Sequence, residues 1–162
     1  SLNRTCINNN RFHHLQRVMS CILPHDMQKR IPHRKVEVRR ARKGAGLGLF
    51  ARVPMKRGDY IIHYTGELIT TEEADRRGGK YLFILNDDWV IDGKNREHIA
   101  RYINHGCKPN AEAETDEGAK KIRILARRKI MPGEEITYDY GKEYWDEYIK
   151  PHGCKCNTCV KK

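Results

Sequence analysis

Between Lys35 and Tyr140 the apolar positions come in short runs closed by glycine, aspartate, asparagine or proline. The runs are VEVRRA, GLFARV, DYIIHYTG, YLFILNDDWVID, KKIRILARRKI and EEITYDY. Segments of this length and period predict β-strands, half-buried where apolar and polar positions alternate. Turn chemistry separates them at Lys56-Arg57-Gly58-Asp59, Asn86-Asp87-Asp88 and Met131-Pro132-Gly133. TTEEADRRGG breaks the rhythm: Thr70 or Thr71 caps a short helix that Gly78-Gly79 stops. A second brief helical turn is predicted in NREHIARYI. Further upstream, Phe12, Leu15, Met19 and Ile22 recur at helical spacing until Pro24, which predicts an amphipathic helix over 11–23 with His13 and His14 on its surface. No segment repeats at a fixed period. The pattern predicts a helical flank over residues 1–33, a mostly β domain with small helices over 34–141, and a short tail over 142–162.

Composition narrows this picture. A chain of 162 residues holds one domain with an appendage. No apolar run approaches membrane-spanning length, and SLNRTCINNN lacks the apolar core of a secretory signal, so an intracellular protein with no membrane partner is expected. The 32 Lys and Arg against 21 Asp and Glu give a net charge of +11, which favours acidic partners. The charge concentrates in QKRIPHRKVEVRRARK, residues 28–43, read as a basic edge strand and a candidate contact for DNA phosphates. The run contains no aromatic residue, which argues against stacking recognition of single strands.

Candidate chemistry lies in four places. Gly44, Gly46 and Gly48 in KGAGLGLFA form a glycine-rich turn without the closing Lys-Ser/Thr of a phosphate loop. GCKCNTC brings Cys154, Cys156 and Cys159 together, one thiolate short of a tetrahedral zinc site, and Cys107 is the natural fourth ligand. Tyr64, Tyr81, Tyr138 and Tyr140 end apolar strand-like runs, and several tyrosines suit a channel for an alkylammonium group. RYINHGCKPN, residues 101–110, sets Asn104, His105 and Cys107 within four positions.

In chain order stand GLG, YTGE, RYINHGCKPN, EITYDYG and the cysteine-rich tail. Together they resemble a SET-domain protein lysine methyltransferase with a post-SET zinc segment, and the likeness covers about residues 34–162. GKEYWD resembles the corresponding stretch of the histone-lysine branch. Gly106 departs from the family, which usually has serine there, and two residues rather than the usual four precede Cys159. The first 33 residues lack the dense cysteines of the family's pre-SET zinc module.

The resemblance implies small β-sheets through which RYINHGCKPN threads beside EITYDY, held by the Pro109-Asn110 turn. It implies S-adenosylmethionine bound by the backbone of Gly46, Leu47 and Gly48, by Arg101, Asn104, His105 and Tyr140, and covered by Tyr144 or Trp145. It implies one structural zinc on Cys107, Cys154, Cys156 and Cys159. Tyr140 and Tyr64 become the catalytic pair, and Tyr138 and Tyr81 line the lysine channel. Tyrosine at 138 implies mainly monomethylation, with dimethylation as a lesser product. The lysine must first lose its proton; at a pKa of about 10.4 it is neutral at pH 7 roughly once in several thousand, a penalty of about 4–5 kcal/mol. Desolvation and a nearby sulfonium both lower that pKa. The expected substrate is a histone or nucleosome, which places the protein in nucleus or chromatin for a eukaryote, and in the cytoplasm or a host cell for a bacterium. The acidic stretches at 86–88 and 112–117 are placed as local guides for a basic peptide. A second reading is a non-catalytic module that binds chromatin or nucleic acid through the basic strand and a zinc tail.

Overall fold

The computed structural model describes residues 34–42 and 44–160. The helix expected over 11–23, with His13 and His14, and most of the basic segment's first half lie outside the described residues. The strands run in chain order as β1 (Val36–Arg40), β2 (Leu47–Ala51), β3 (Tyr60–Tyr64), β4 (Glu67–Thr70), β5 (Leu82–Ile84), β6 (Trp89–Asp92), β7 (Asn104–His105), β8 (Ala111–Asp116), β9 (Lys121–Ala126) and β10 (Thr137–Tyr138). They form four small sheets: β1-β2, β3-β9-β8, β4-β6-β5 and β10-β7. The mostly β expectation holds, and no helix among the described residues is long and apolar enough to cross a membrane.

Alternation decides which side chains reach the core. β9 reads KIRILA with Ile122, Ile124 and Ala126 inward, all fully buried. In β1, Val36 is buried while Glu37, Arg39 and Arg40 are exposed, the edge-strand pattern expected of the basic run. Leu49, Ile103, Ile130 and Ile136 join these residues in one core cluster, which ties the strands to the segments that carry the motif side chains. The helix expected after Thr70 is α1 (Thr71–Arg77): the Thr70 hydroxyl accepts from the Glu73 amide at 3.3 Å. Arg77 at its end bonds Glu73 at 2.6 Å, Glu67 at 2.7 Å and Asp92 at 3.2 Å, fastening α1 to β4 and β6.

β8 departs from the sequence reading. AEAETD has weak strand propensity and buries only Ala111, but it pairs with β9 over six residues, and Glu114 meets Arg123 at 2.8 Å directly across the ladder. Tertiary pairing overrides local preference there.

The one parallel pair among the described residues positions the site. β7 and β10 align Asn104 with Thr137 and His105 with Tyr138, so RYINHGCKPN lies alongside EITYDY. Asn110, 3 % exposed, clamps the two: its amide donates to the Glu135 carbonyl at 2.8 Å, and its oxygen accepts from the Thr137 amide at 2.9 Å. Gly106 is part of the same fit. A Cβ at residue 106 would lie 2.6 Å from Thr137 Oγ1 and 2.9 Å from Thr137 Cβ. Because a β-branched residue is stiff at χ1, Thr137 occupies the space that a serine at 106 would need.

Candidate active site

An aromatic row forms the floor of the site. Ring centroids step from Tyr64 to Phe83 at 5.1 Å, from Phe83 to Tyr138 at 5.8 Å and from Tyr138 to Tyr140 at 5.0 Å. The row continues to Tyr144 at 4.7 Å and to Tyr148 at 4.7 Å. Strands β3, β5 and β10 supply Tyr64, Phe83 and Tyr138, Tyr140 follows β10 by two residues, and a helical segment in three pieces, Lys142–Tyr144, Trp145–Ile149 and Lys150–His152, supplies the last two rings. All six border an open groove of about 1310 Å³.

Hydroxyl orientation distinguishes the tyrosines. Tyr140 donates to the Ile103 carbonyl at 2.6 Å and Tyr64 to the Tyr81 carbonyl at 2.9 Å, so each directs its proton into the fold and keeps lone pairs free. The Tyr138 hydroxyl has no partner among the described residues. Burial pushes the pKa of Tyr64, Tyr138 and Tyr140 well above the ordinary phenol value. All three stay neutral, so they can orient an amine by hydrogen bonding but cannot remove its proton as tyrosinates.

Gly46, Leu47, Tyr81, Arg101, Asn104 and His105 border the same groove as the tyrosines. Gly46, at φ 74° with nothing within 4 Å of a built Cβ, is needed for its backbone conformation. Gly48 does not border this groove: it is buried on β2, and a Cβ there would lie 2.8 Å from Glu135 Oε1. Arg101 stacks its guanidinium on Tyr81 at 3.7 Å, and its buried Nε has no partner among the described residues. Tyr144 borders the groove, whereas Trp145 turns away to stack on His105 at 5.4 Å.

His105 serves mainly as a linker. Its Nδ1 lies 3.3 Å from the Tyr140 amide, which donates to it, and Nε2 lies 3.4 Å from Cys107 Sγ. Burial lowers its pKa against the opposing pull of Asp139, 3.7 Å away. A neutral ring accepting at Nδ1 carries its proton on Nε2, toward the sulfur. Both ring nitrogens of the imidazole are engaged within the fold.

The four thiols meet as expected. The sulfurs of Cys107, Cys154, Cys156 and Cys159 lie within 4.8 Å of one another, with Cys107 at 3.7 Å from Cys154 and 3.6 Å from Cys159. A tetrahedral zinc with bonds of about 2.3 Å separates its sulfurs by about 3.8 Å, so the set fits that ion. The groove fits S-adenosylmethionine by its donors and acceptors: Arg101 Nε seeks an acceptor, and Asn104 Oδ1, which accepts from no described group, seeks a donor.

Sequence reasoning missed Phe83, Tyr148 and Glu135. Phe83 was signalled by its period-two spacing from Tyr81; Tyr148 lies four residues after Tyr144, one helical turn on. The acidic stretches at 86–88 and 112–117 do not border the groove.

A SET-domain family model matches residues 46–141, more than half of the chain. The chain is 42% identical over 125 residues to an H3 lysine-4 specific histone-lysine N-methyltransferase of Schizosaccharomyces pombe, covering 70% of this chain and 13% of that protein. It is 39% identical over 127 residues to human histone-lysine N-methyltransferase 2D, covering 72% of this chain and 2% of the other. Among solved structures, the polycomb repressive complex 2 of Chaetomium thermophilum is similar at TM-score 0.59 and 31% identity, over 66% of this chain and 15% of that one. The chain thus spans a small fraction of the curated relatives it matches.

Proposed function

The chain belongs to the SET-domain family, and from that premise we propose that it is a protein-lysine N-methyltransferase that uses S-adenosylmethionine and acts on a histone, mainly adding one methyl group. The carrying observation is that the aromatic row and Asn104 and His105 of the threaded segment open onto one groove. The relatives named for histone-lysine methylation support the substrate class. Residues 34–141 form the SET domain in this reading, 142–162 the zinc segment, and 1–33 a flank.

S-adenosylmethionine, when bound, supplies an electrophilic methyl group. The protein supplies placement. Tyr64, Phe83 and Tyr138 surround an aliphatic lysine stem and exclude water, which lowers the ammonium pKa. The lone pairs of Tyr140 and Tyr64 orient the amine. Since the buried tyrosines remain neutral, the lysine proton leaves to solvent, and no protein base or nucleophile takes part. Gly46, Leu47, Arg101, Asn104 and the His105 main chain face the cofactor, and Tyr144 covers it.

The product depends on Tyr138. Its unpartnered hydroxyl holds the unmethylated amine or a water beside it, filling the volume a methylated amine needs to turn. Tyr138→Phe shifts products from monomethyl toward dimethyl and trimethyl lysine at nearly unchanged total turnover. Intact-mass analysis of a peptide product checks this, and a wild-type enzyme that runs readily to trimethyl lysine contradicts it.

The partner we assign is the nucleosome, which places the protein at chromatin. A second cleft of about 940 Å³ is bordered by Arg39, Arg40, Arg42, Lys108 and Arg128 against Glu134 and Glu135. Both acids are already matched, by Arg128 at 3.2 Å and Arg42 at 3.2 Å. The remaining positive charge suits DNA phosphates. Reversing Arg40 and Lys108 to glutamate weakens nucleosome binding about tenfold in moderate salt and leaves the peptide KM unchanged. Unaltered nucleosome affinity would remove DNA from the account.

A further inference from the structure

Glu135 stands two residues before β10, the strand that carries Tyr138, and its side chain is only 6 % exposed. Each oxygen has a defined partner. Oε1 accepts from Asn104 Nδ2 at 2.7 Å, and Oε2 pairs with Arg42 at 3.2 Å. Arg42 in turn bonds Asn157 Oδ1 at 3.2 Å, between two cysteines of the tail. Gly48 leaves room for the carboxylate, since a Cβ there would stand 2.8 Å from Oε1. The Glu135 carbonyl is held by Asn110 at 2.8 Å. A carboxylate fixed on so many sides has one effect on the groove, through Asn104.

Asn104 Nδ2 gives one hydrogen to Glu135 and the other to the Leu47 carbonyl at 3.0 Å. An amide can usually be turned end for end with little evidence either way. Here a flip would press the amide oxygen against a carboxylate and a carbonyl, acceptor against acceptor. The amide is therefore locked with Oδ1 toward the groove.

We propose that Glu135 is the positioning residue of the cofactor site: it fixes the Asn104 amide so that this position accepts a hydrogen bond and selects a ligand carrying an amino group. The inference rests on the cofactor reading above and adds a residue and a rule of selection to it. For S-adenosylmethionine the amino group of its amino-acid end is the matching donor.

The test is calorimetry with S-adenosylhomocysteine and its analogue in which the amino group is replaced by hydrogen. Wild-type protein binds the amino form about tenfold more tightly or better. Glu135→Gln retains an acceptor for Asn104 and keeps that preference within about threefold. Glu135→Leu fills the space without an acceptor, frees the amide to turn, and brings the ratio of the two affinities close to one. A purely structural role weakens both ligands alike and leaves their ratio unchanged, which overturns the proposal. A second measurement uses the wild type alone: the Asn104 side-chain NH2 group shows two exchange-protected protons in nuclear magnetic resonance, and rapid exchange of either overturns it. Failure of both ligands to bind wild-type protein counts against the cofactor reading itself; equal binding of both counts only against Glu135.

Discussion

Replacing Tyr140 with phenylalanine lowers kcat by on the order of 100-fold, with cofactor affinity within about threefold of wild type. The side chain keeps its ring contacts with Tyr138 and Tyr144, at 5.0 Å and 4.7 Å, so the groove keeps its shape. What goes is a hydroxyl whose proton is committed to the Ile103 carbonyl at 2.6 Å and whose lone pairs face the groove. Leaving that carbonyl unpaired costs about 1 kcal/mol, too little to unfold the domain. The pH profile separates positioning from base catalysis. Burial raises the Tyr140 pKa, so tyrosinate is not the active form. The wild-type rate climbs with pH as the lysine loses its proton, and the variant climbs in parallel at a lower level. Rapid single-turnover kinetics across pH checks this; a variant whose profile changes shape would give Tyr140 a proton-transfer role.

Cys156→Ser abolishes activity, a loss of more than about 100-fold, while most of the β-core stays folded. Cys156 is 3 % exposed and one of four sulfurs within 4.8 Å of each other. Serine is a poor zinc ligand, and three thiols do not close a structural site. The consequence reaches the groove because the chain between His105 and the tail is continuous in space. Cys107 meets His105 Nε2 at 3.4 Å, His105 stacks on Trp145 at 5.4 Å, and Tyr144 stands edge-on to Tyr140 at 4.7 Å. Losing the metal frees the wall that Tyr144 forms. The core cluster around Leu49, Ile122 and Ile136 is built from the strands and the segments beside them and takes no buried residue from the tail. Metal analysis with circular dichroism gives about one zinc per wild-type chain, well under one for the variant, and similar strand content in both. Active protein without zinc would defeat this.

The sequence pattern carried the strands whose inward positions are large and apolar, as in β9, and the capped helix after Thr70. It missed β8 because Ala111 is the single buried residue there and the pairing comes from a distant strand. Cys107 was legible as the fourth sulfur because thiolates need a set of four, a rule that does not depend on distance along the chain. Glu135 was not legible. A glutamate beside another glutamate after a turn reads as surface charge, and only the fold brings Arg42, Asn104 and Gly48 around it. The same limit separated Tyr144 from Trp145: neighbours on a helical segment point apart, and composition does not say which faces the groove. Gly48 looked like part of the cofactor turn because it stands two residues from Gly46, yet on β2 it alternates with Leu47 and a Cβ there would point at Glu135.

The most direct measurement is tandem mass spectrometry of core histones and of reconstituted nucleosomes after incubation of the protein with S-adenosylmethionine. The expected result is a single methyl group on a lysine side chain of a histone, absent without the cofactor and nearly absent with Tyr140→Phe. No methylated lysine on any histone or other basic protein, from folded and zinc-loaded protein that still binds nucleosomes, would contradict it and leave a non-catalytic binding module in its place.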